Sequence, residues 1–302
     1  MISQGKYVIC AALLLGAASQ GQLTAQASAP PSPGNKPVQI FVTASGKDAT
    51  PDLPPLSDLS VTIDKKTAQV SSLRAARQDK LLFALLVDTS TSQSNEASAV
   101  KEAAWQIFKA LSTNGNQGYL VFFSDDFVIS RTTLQPSVAR DVLDQMTFGG
   151  GTALYDAIGD TCKNALSRSA NPDAPRRAII LLSDGHENAS QLARGQVEGI
   201  AEQEGVAIFS LSSFNPFSFS PPHSDDSRGQ HILEEASQKT GGQSIIAKTL
   251  ADGVKPLVDA IEAQWSLFLV PPSAPDKKLH SLSVKTSEKK IKISAPALIP
   301  LE

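Results

Sequence analysis

Apolar and polar positions along the chain change pattern twice. Between residues 38 and 75, short stretches alternate with period two: Val38-Gln39-Ile40-Phe41-Val42, Leu59-Ser60-Val61-Thr62-Ile63 and Ala68-Gln69-Val70. Their β-branched content, and the Asp64-Lys65-Lys66 turn, predict two or three antiparallel strands. So few strands need a partner sheet. From about residue 80, continuous apolar runs alternate with helical spacing. Leu81 to Val87 is apolar throughout and ends at Asp88, as a strand buried on both faces of a parallel sheet would. Ala97, Val100, Ala104, Ile107, Phe108 and Leu111 then recur as one helix face.

The same alternation continues. Strands are predicted at Gly118 to Phe123, Phe127 to Ser130 (a short antiparallel return), Ala178 to Leu182, Val206 to Leu211 and Ser244 to Ala247. Helices are predicted through Val138, Val142 and Met146, from a Ser190 cap to about Glu204, over 229–239 and from Leu250 to Ala263. A long loop, roughly 213 to 228, precedes the helix at 229–239. This order implies a doubly wound α/β fold, its sheet mostly parallel and covered by helices on both faces. Trp265 to Val270, Leu279 to Thr286 and Lys290 to Ala295 read as strands again. The chain therefore divides into an α/β domain at 76–263 and a small flanking antiparallel β module, built from 38–75 and 264–302.

Composition places the chain among ordinary globular proteins, with 41% hydrophobic and 19% charged residues. What changes the picture is the start. Lys6 precedes an apolar run from Tyr7 to Ala18, and a polar stretch leads to Ala25-Gln26-Ala27. That is the layout of a secretory signal over 1–27, cleaved before Ser28, with a Pro/Ser-rich linker at 28–37. The run is shorter than the roughly 20 apolar residues of a membrane span, and no other span follows. The expected location is exported, periplasmic or secreted. Cys162 alone would remain after cleavage, so no internal disulfide forms, and its spacing from Leu154 and Ile158 predicts a buried, inert thiol. The formal net charge of −3 offers no basic surface for nucleic acid.

The chemistry gathers at predicted strand ends. Asp88, Ser90 and Ser92 alternate in Asp88-Thr89-Ser90-Thr91-Ser92; Phe148-Gly149-Gly150-Gly151-Thr152 opens a helix beginning Ala153-Leu154-Tyr155-Asp156; and the strand ending at Leu182 leads into Ser183-Asp184-Gly185. Ligands of open α/β sheets collect at the carboxyl ends of the strands, where the topology switches direction. These three segments, in this order, resemble the metal-site segments of von Willebrand factor A domains over about residues 80–263, and the flanking strands resemble a secreted bacterial subgroup. The resemblance implies a metal-ion-dependent adhesion site. Asp88, Ser90 and Ser92 would hold a divalent ion directly or through water, Thr152 would add a hydroxyl and Asp184 a second carboxylate. The partner implied is a protein offering an Asp or Glu carboxylate. The donor set agrees independently, since hard oxygens without thiolate or imidazole favour Mg²⁺, with Mn²⁺ or Ca²⁺ as alternatives.

Around that site, Gly151 and His186 are candidate partner-binding residues, together with Phe214, Phe217 and Phe219 of the loop leaving a strand's carboxyl end. His186, Glu187 and Asn188 follow Asp184 and could line the rim, although exposed loop residues are the simpler reading of all three, and Asp125 and Asp126 read as turn residues. No catalytic residue is assigned. The sequence holds no GxSxG elbow, HExxH or Walker A loop, and Ser90 stands where a haloacid-dehalogenase-like phosphatase needs a second carboxylate. The expected function is metal-dependent protein binding. Two alternatives stand beside it: an envelope-complex scaffold with a structural ion, and a metal-dependent hydrolase.

Overall fold

The structure is a computed structural model that describes residues 26–27, 37–46, 54–169, 174–213, 225–276, 278–289 and 291–301. The expected leader and linker lie outside the described residues apart from Gln26, Ala27 and Pro37, and so do Phe214, Phe217 and Phe219.

Five strands come first: β1 (Gln26–Ala27), β2 (Val38–Ser45), β3 (Leu59–Ile63), β4 (Lys66–Thr67) and β5 (Gln69–Ala75). The α/β region follows, from β6 (Leu81–Asp88) and α1 (Ala97–Leu111) to β7 (Gln117–Phe123), β8 (Phe127–Ile129) and α2 (Pro136–Asp144). It continues through α3 (Leu154–Asp160), β9 (Arg176–Leu182), α4 (Arg194–Glu204), β10 (Val206–Ser213), α5 (Asp225–Lys239), β11 (Ser244–Ala247) and α6 (Leu250–Glu262). The tail adds β12 (Trp265–Val270), β13 (Leu279–Thr286), β14 (Lys292–Ser294) and β15 (Leu298–Pro300).

The central sheet has the order β11-β10-β9-β6-β7-β8, parallel except for the β7–β8 hairpin. Its strands are apolar on both faces because both faces are covered. Leu81, Phe83, Leu85 and Val87 pack with α1, α2 and α6, while Ala84 and Leu86 pack with α3, α4 and α5. Pro136 occupies the first turn of α2, where its missing N–H costs nothing, and Thr249 caps α6 by accepting from the Asp252 N–H at 3.2 Å. Cys162 is fully buried, and burial pushes its thiol well above the ordinary range, so it is an inert packing residue. The chain leaves β6 for β7 on one side and reaches β9 on the other, which puts the topological switch at Asp88.

The flanking strands form two antiparallel sheets, β1-β5-β12-β2-β14 and β15-β13-β3-β4. Strands from the two ends of the chain interleave, with Trp265 opposite Val42 and Leu282 opposite Ile63. Ile40, Val42, Val61, Ile63, Leu73, Trp265, Leu267 and Leu269 form one apolar interior between the sheets. This sandwich meets the α/β domain through polar contacts. Thr43 Oγ1 donates to the Gly241 carbonyl at 2.7 Å, the Ala297 N–H to the Lys239 carbonyl at 2.7 Å, and the Leu298 N–H to Glu202 Oε1 at 3.0 Å.

Several local expectations are corrected. Helix α5 begins at Asp225, four residues before the predicted 229. The strand read at Ala68 to Val70 is β5, which runs on to Ala75, and a separate β15 follows β14. Ser190 does not cap α4. Its Oγ accepts from the N–H groups of Tyr155 and Asp156 at 3.0 and 3.2 Å, serving the first turn of α3, while Gln196 Oε1 reaches back to the Ala193 N–H at the start of α4.

Candidate metal centre

Asp88 ends β6 and is wholly buried. Its Oδ1 accepts from the Ser90 N–H at 2.9 Å and its Oδ2 from the Ser183 hydroxyl at 2.6 Å. Those donors are neutral. Burial, with a smaller push from the charge of Asp184, raises the carboxyl to about 6 despite them. A carboxylate buried among neutral partners is one that a neighbouring cation would stabilise. Ser90 is buried beside it, and its Oγ lies 3.0 Å from Ser92 Oγ on the exposed side of the loop.

The glycine loop is stitched to this segment by the backbone. The Gly149 N–H donates to the Thr89 carbonyl at 2.8 Å, and the Gly150 carbonyl accepts from the N–H and hydroxyl of Thr91 at 3.1 and 3.0 Å. Gly150 has φ +85°, and a Cβ there would stand 2.3 Å from Asp125 Oδ2, so the position requires glycine. Asp125 is more than a turn residue: its Oδ1 accepts from the Gly151 N–H at 2.7 Å. Asn188 Oδ1 accepts from the Thr152 N–H at 2.8 Å, and the Thr152 carbonyl accepts from the N–H groups of Asn188 and Ala189. Thr152, 2% exposed, is thereby fixed from two sides.

Asp184 follows β9 and is half-buried. Its Oδ1 accepts from the His186 N–H at 3.0 Å and its Oδ2 from Gln93 Nε2 at 2.7 Å, with His186 Nδ1 at 3.4 Å. Glu187 is half-buried rather than a solvated loop residue. Its oxygens accept from the N–H groups of Tyr155, Ala189 and Ser190 and from the Ser190 hydroxyl.

Four of the expected residues, Ser90, Ser92, Thr152 and His186, line one open cleft of about 330 Å³, also walled by Arg228, Gly229 and Ile232. Asp88 and Asp184 are not among its lining residues; each is joined to one that is, Asp88 to Ser90 and Asp184 to His186. Gly151 contributes its backbone to the loop behind it. Glu187 and Asn188, which the sequence places as possible rim residues, line the cleft as well, and the residues that sequence reasoning missed are Ser183, Gln93 and Asp125, which position the others, and Arg228.

The donor set fits a hard divalent cation: two carboxylates, three hydroxyls and, at Asp88, a buried charge with neutral partners. Among the described residues there is no group of three or more His, Cys, Asp and Glu placed to hold a metal, so the hydroxyls are essential to the set.

With this geometry in view, the comparisons with known proteins decide the family. The von Willebrand factor type A domain profile matches residues 83–252, more than half of the chain. The chain belongs to the von Willebrand factor type A domain family. Its similarity to curated relatives includes UPF0353 proteins of Mycobacterium bovis (strain BCG / Pasteur 1173P2), 25% identical over 195 residues, and of Mycobacterium tuberculosis (strain H37Rv), 25% identical over 197 residues. Each alignment spans 58% of this chain and 58% of the relative. A solved von Willebrand factor type A structure from Catenulispora acidiphila aligns with 90% of this chain and 74% of its own, at 11% identity and TM-score 0.48. Proximal thread matrix protein 1 of the mussel byssus, described with a zinc-occupied MIDAS motif, aligns with 66% of this chain and 49% of its own, at 17% identity and TM-score 0.47.

Proposed function

We propose that this von Willebrand factor A protein is an exported, metal-dependent protein-binding module. Asp88, Ser90, Ser92, Thr152 and Asp184 would hold a divalent cation, Mg²⁺ by the hardness of the donors, with Mn²⁺ or Ca²⁺ as substitutes. When bound, it supplies a positive position able to accept one more anionic oxygen, and the partner's Asp or Glu would provide it. The observation carrying this reading is the convergence of three strand-end segments on one cleft around a buried carboxylate with neutral hydrogen-bond partners.

The supporting side chains act by positioning. Ser183 and the Ser90 N–H orient Asp88, Gln93 and the His186 N–H orient Asp184, and Asp125 and Asn188 hold the loop that presents Thr152. The rim favours recognition over catalysis. Glu187 has both oxygens engaged by backbone N–H groups and the Ser190 hydroxyl, which leaves it poorly arranged as a general base. The amino-terminal signal pattern supports export, and among the described residues no helix is long and apolar enough to cross a membrane.

Thermal unfolding with and without Mg²⁺ or Mn²⁺ tests the reading, wild type beside Asp88→Asn. A saturating ion at about 100 times its Kd stabilises the wild type by about 2.7 kcal/mol. Asp88→Asn should fold yet give no response. An equal metal response in both proteins would contradict the assignment.

A further inference from the structure

A second depression lies on the other side of the glycine loop. Thr89 and Gly149 line it, while the residues that follow them, Ser90, Thr91 and Gly150, line the metal cleft. Only a ridge of two backbone segments separates the two. Those segments are tied together, the Gly149 N–H donating to the Thr89 carbonyl and the Thr91 N–H to the Gly150 carbonyl. The ridge is narrow, because Thr89 and Thr91 lie two residues apart, at most about 7 Å along the chain.

The second depression differs in character from the first. It is an open groove of about 540 Å³ between the β8 edge of the central sheet and the carboxyl end of α2. Phe122, Val142 and Phe148 are half-buried along it, and Val128, opposite Phe122 in the β7–β8 hairpin, is 69% exposed. Val138, one turn before Val142 on the same face of α2, is 46% exposed. Two of the three most exposed large apolar side chains among the described residues thus lie on or beside this groove, and a concentration of that kind marks a contact surface. Asp126 is the only charged residue lining it, its Oδ1 accepting from the Phe127 N–H at 2.8 Å. That carboxylate disfavours a second acid there. The metal cleft suits the acid of a partner, and the groove beside it suits an apolar side chain.

We propose that the groove is a second subsite of the metal-dependent interface, taking a large aliphatic side chain of the partner two residues from the acid that the cation holds. In an extended segment, side chains two residues apart point the same way at a spacing of about 6.6 Å. One strand laid across the ridge therefore places the acid on one side and the aliphatic chain on the other. This rests on the metal-dependent reading above and adds what that reading lacks, a rule for choosing among acidic partners.

The test uses three peptides on the wild type and on Val128→Ser. They are acetyl-Gly-Leu-Ser-Glu-Ser-Leu-Gly-amide, its isomer acetyl-Gly-Ser-Leu-Glu-Leu-Ser-Gly-amide, and the leucine-free acetyl-Gly-Ser-Ser-Glu-Ser-Ser-Gly-amide. Calorimetry first follows Mg²⁺ alone, and ¹⁵N NMR titration then follows each peptide on the loaded proteins. Both proteins should take up Mg²⁺ alike, since Val128 lies outside the metal cleft. The first peptide should bind the loaded wild type about tenfold more tightly than the leucine-free one, the size expected of one aliphatic side chain partly buried in an open groove. It should also bind more tightly than its isomer and shift the amides of Val128 and Phe148. Val128→Ser should cut the gain from leucine about threefold. An isomer that binds as well as the first peptide overturns the proposal, and so does a gain that is absent in the wild type or unchanged in Val128→Ser. In each of those cases the leucine-free peptide still binds, and the metal reading stands. A loaded wild type that binds none of the three would overturn the acid-binding reading and this inference with it. A folded wild type that takes up no Mg²⁺ would do the same before any peptide is added.

Discussion

The carboxyl edge of the six-stranded sheet and the interior of the flanking sandwich belong to one chain, yet different forces hold them. At the sheet edge, loops meet through hydrogen bonds around a buried carboxylate: Ser183 to Asp88, Asp125 to Gly151, Asn188 to Thr152. In the sandwich, strands from the two ends of the chain bury Trp265, Leu267, Ile63 and Val42 against one another with hardly any exposed surface. Apolar burial is strong and tolerant of direction, whereas hydrogen-bonded loops are weak individually and exact in geometry. The difference sets a broad apolar platform beside a hydrogen-bonded edge suited to fixed geometry. The sandwich contributes apolar burial that the polar edge, with its buried carboxylate and glycine turn, does not supply.

The largest expected effect lies on the apolar side. Trp265 is 1% exposed at the centre of the sandwich, so Trp265→Ala should cost about 3–5 kcal/mol, read from denaturant midpoints. A cost below about 1 kcal/mol would mean that the sandwich is not the stabilising half.

Next comes the seam between the two regions. Glu202 on α4 accepts the Leu298 N–H of β15, and burial raises its carboxyl to about 7 from the ordinary 4.5. The sign follows directly. A carboxyl with a raised folded pKa favours the folded state while protonated, so its contribution is complete below about 4.5 and lost as the pH rises through about 7. The loss is roughly 2–3 kcal/mol across that window. Glu202→Gln should flatten this part of the stability–pH curve; a curve that falls as steeply in the variant would remove Glu202 as its cause.

On the polar side, Gly150→Ala places a Cβ at φ +85° against Asp125, costing about 1–3 kcal/mol. Metal response should fall further than stability does, because the same loop presents Thr152. An unaltered metal response would mean the loop does not set that geometry.

The smallest effect belongs to a surface clamp of the sandwich. His280 is held between Asp64 at Nδ1, 2.6 Å, and Asp276 at Nε2, 2.7 Å, and these carboxylates raise its pKa. Both ring nitrogens donate only in the charged form. Its contribution is present below the ordinary histidine value of 6.5 and lost as the pH rises through the raised one. Asp276→Asn should lower the midpoint of the His280 ring resonances in an NMR titration; an unmoved midpoint would contradict the clamp.

The two regions were also unequally legible in the sequence. The parallel strands announce themselves as unbroken apolar runs such as Leu81 to Val87, because both faces are covered. The five expected metal-site residues stand in short local patterns at strand ends, so the switch point could be found from them. The residues that position them could not. Asp125 and Asn188 act on a loop distant in sequence, and nothing local separates such a carboxylate or amide from an ordinary turn residue. Ser190 stands in sequence where it would cap the helix that follows it, yet the fold turns it to α3, since a hydroxyl caps whichever helix start lies nearest in space. β15 is three residues ending in proline, too short to carry a period, and it exists because β13 offers it an edge. Arg228 sat in what reads as a long loop, where only the extension of α5 back to Asp225 brings it into the cleft.

The central claim, one hard cation at the end of β6, is tested most directly by a crystal structure grown with Mn²⁺ and measured for its anomalous signal. The account predicts a single strong peak among the oxygens of Asp88, Ser90, Ser92, Thr152 and Asp184, absent from crystals of Asp88→Asn. A folded wild type with no peak there, or with its peak on other side chains, would contradict it.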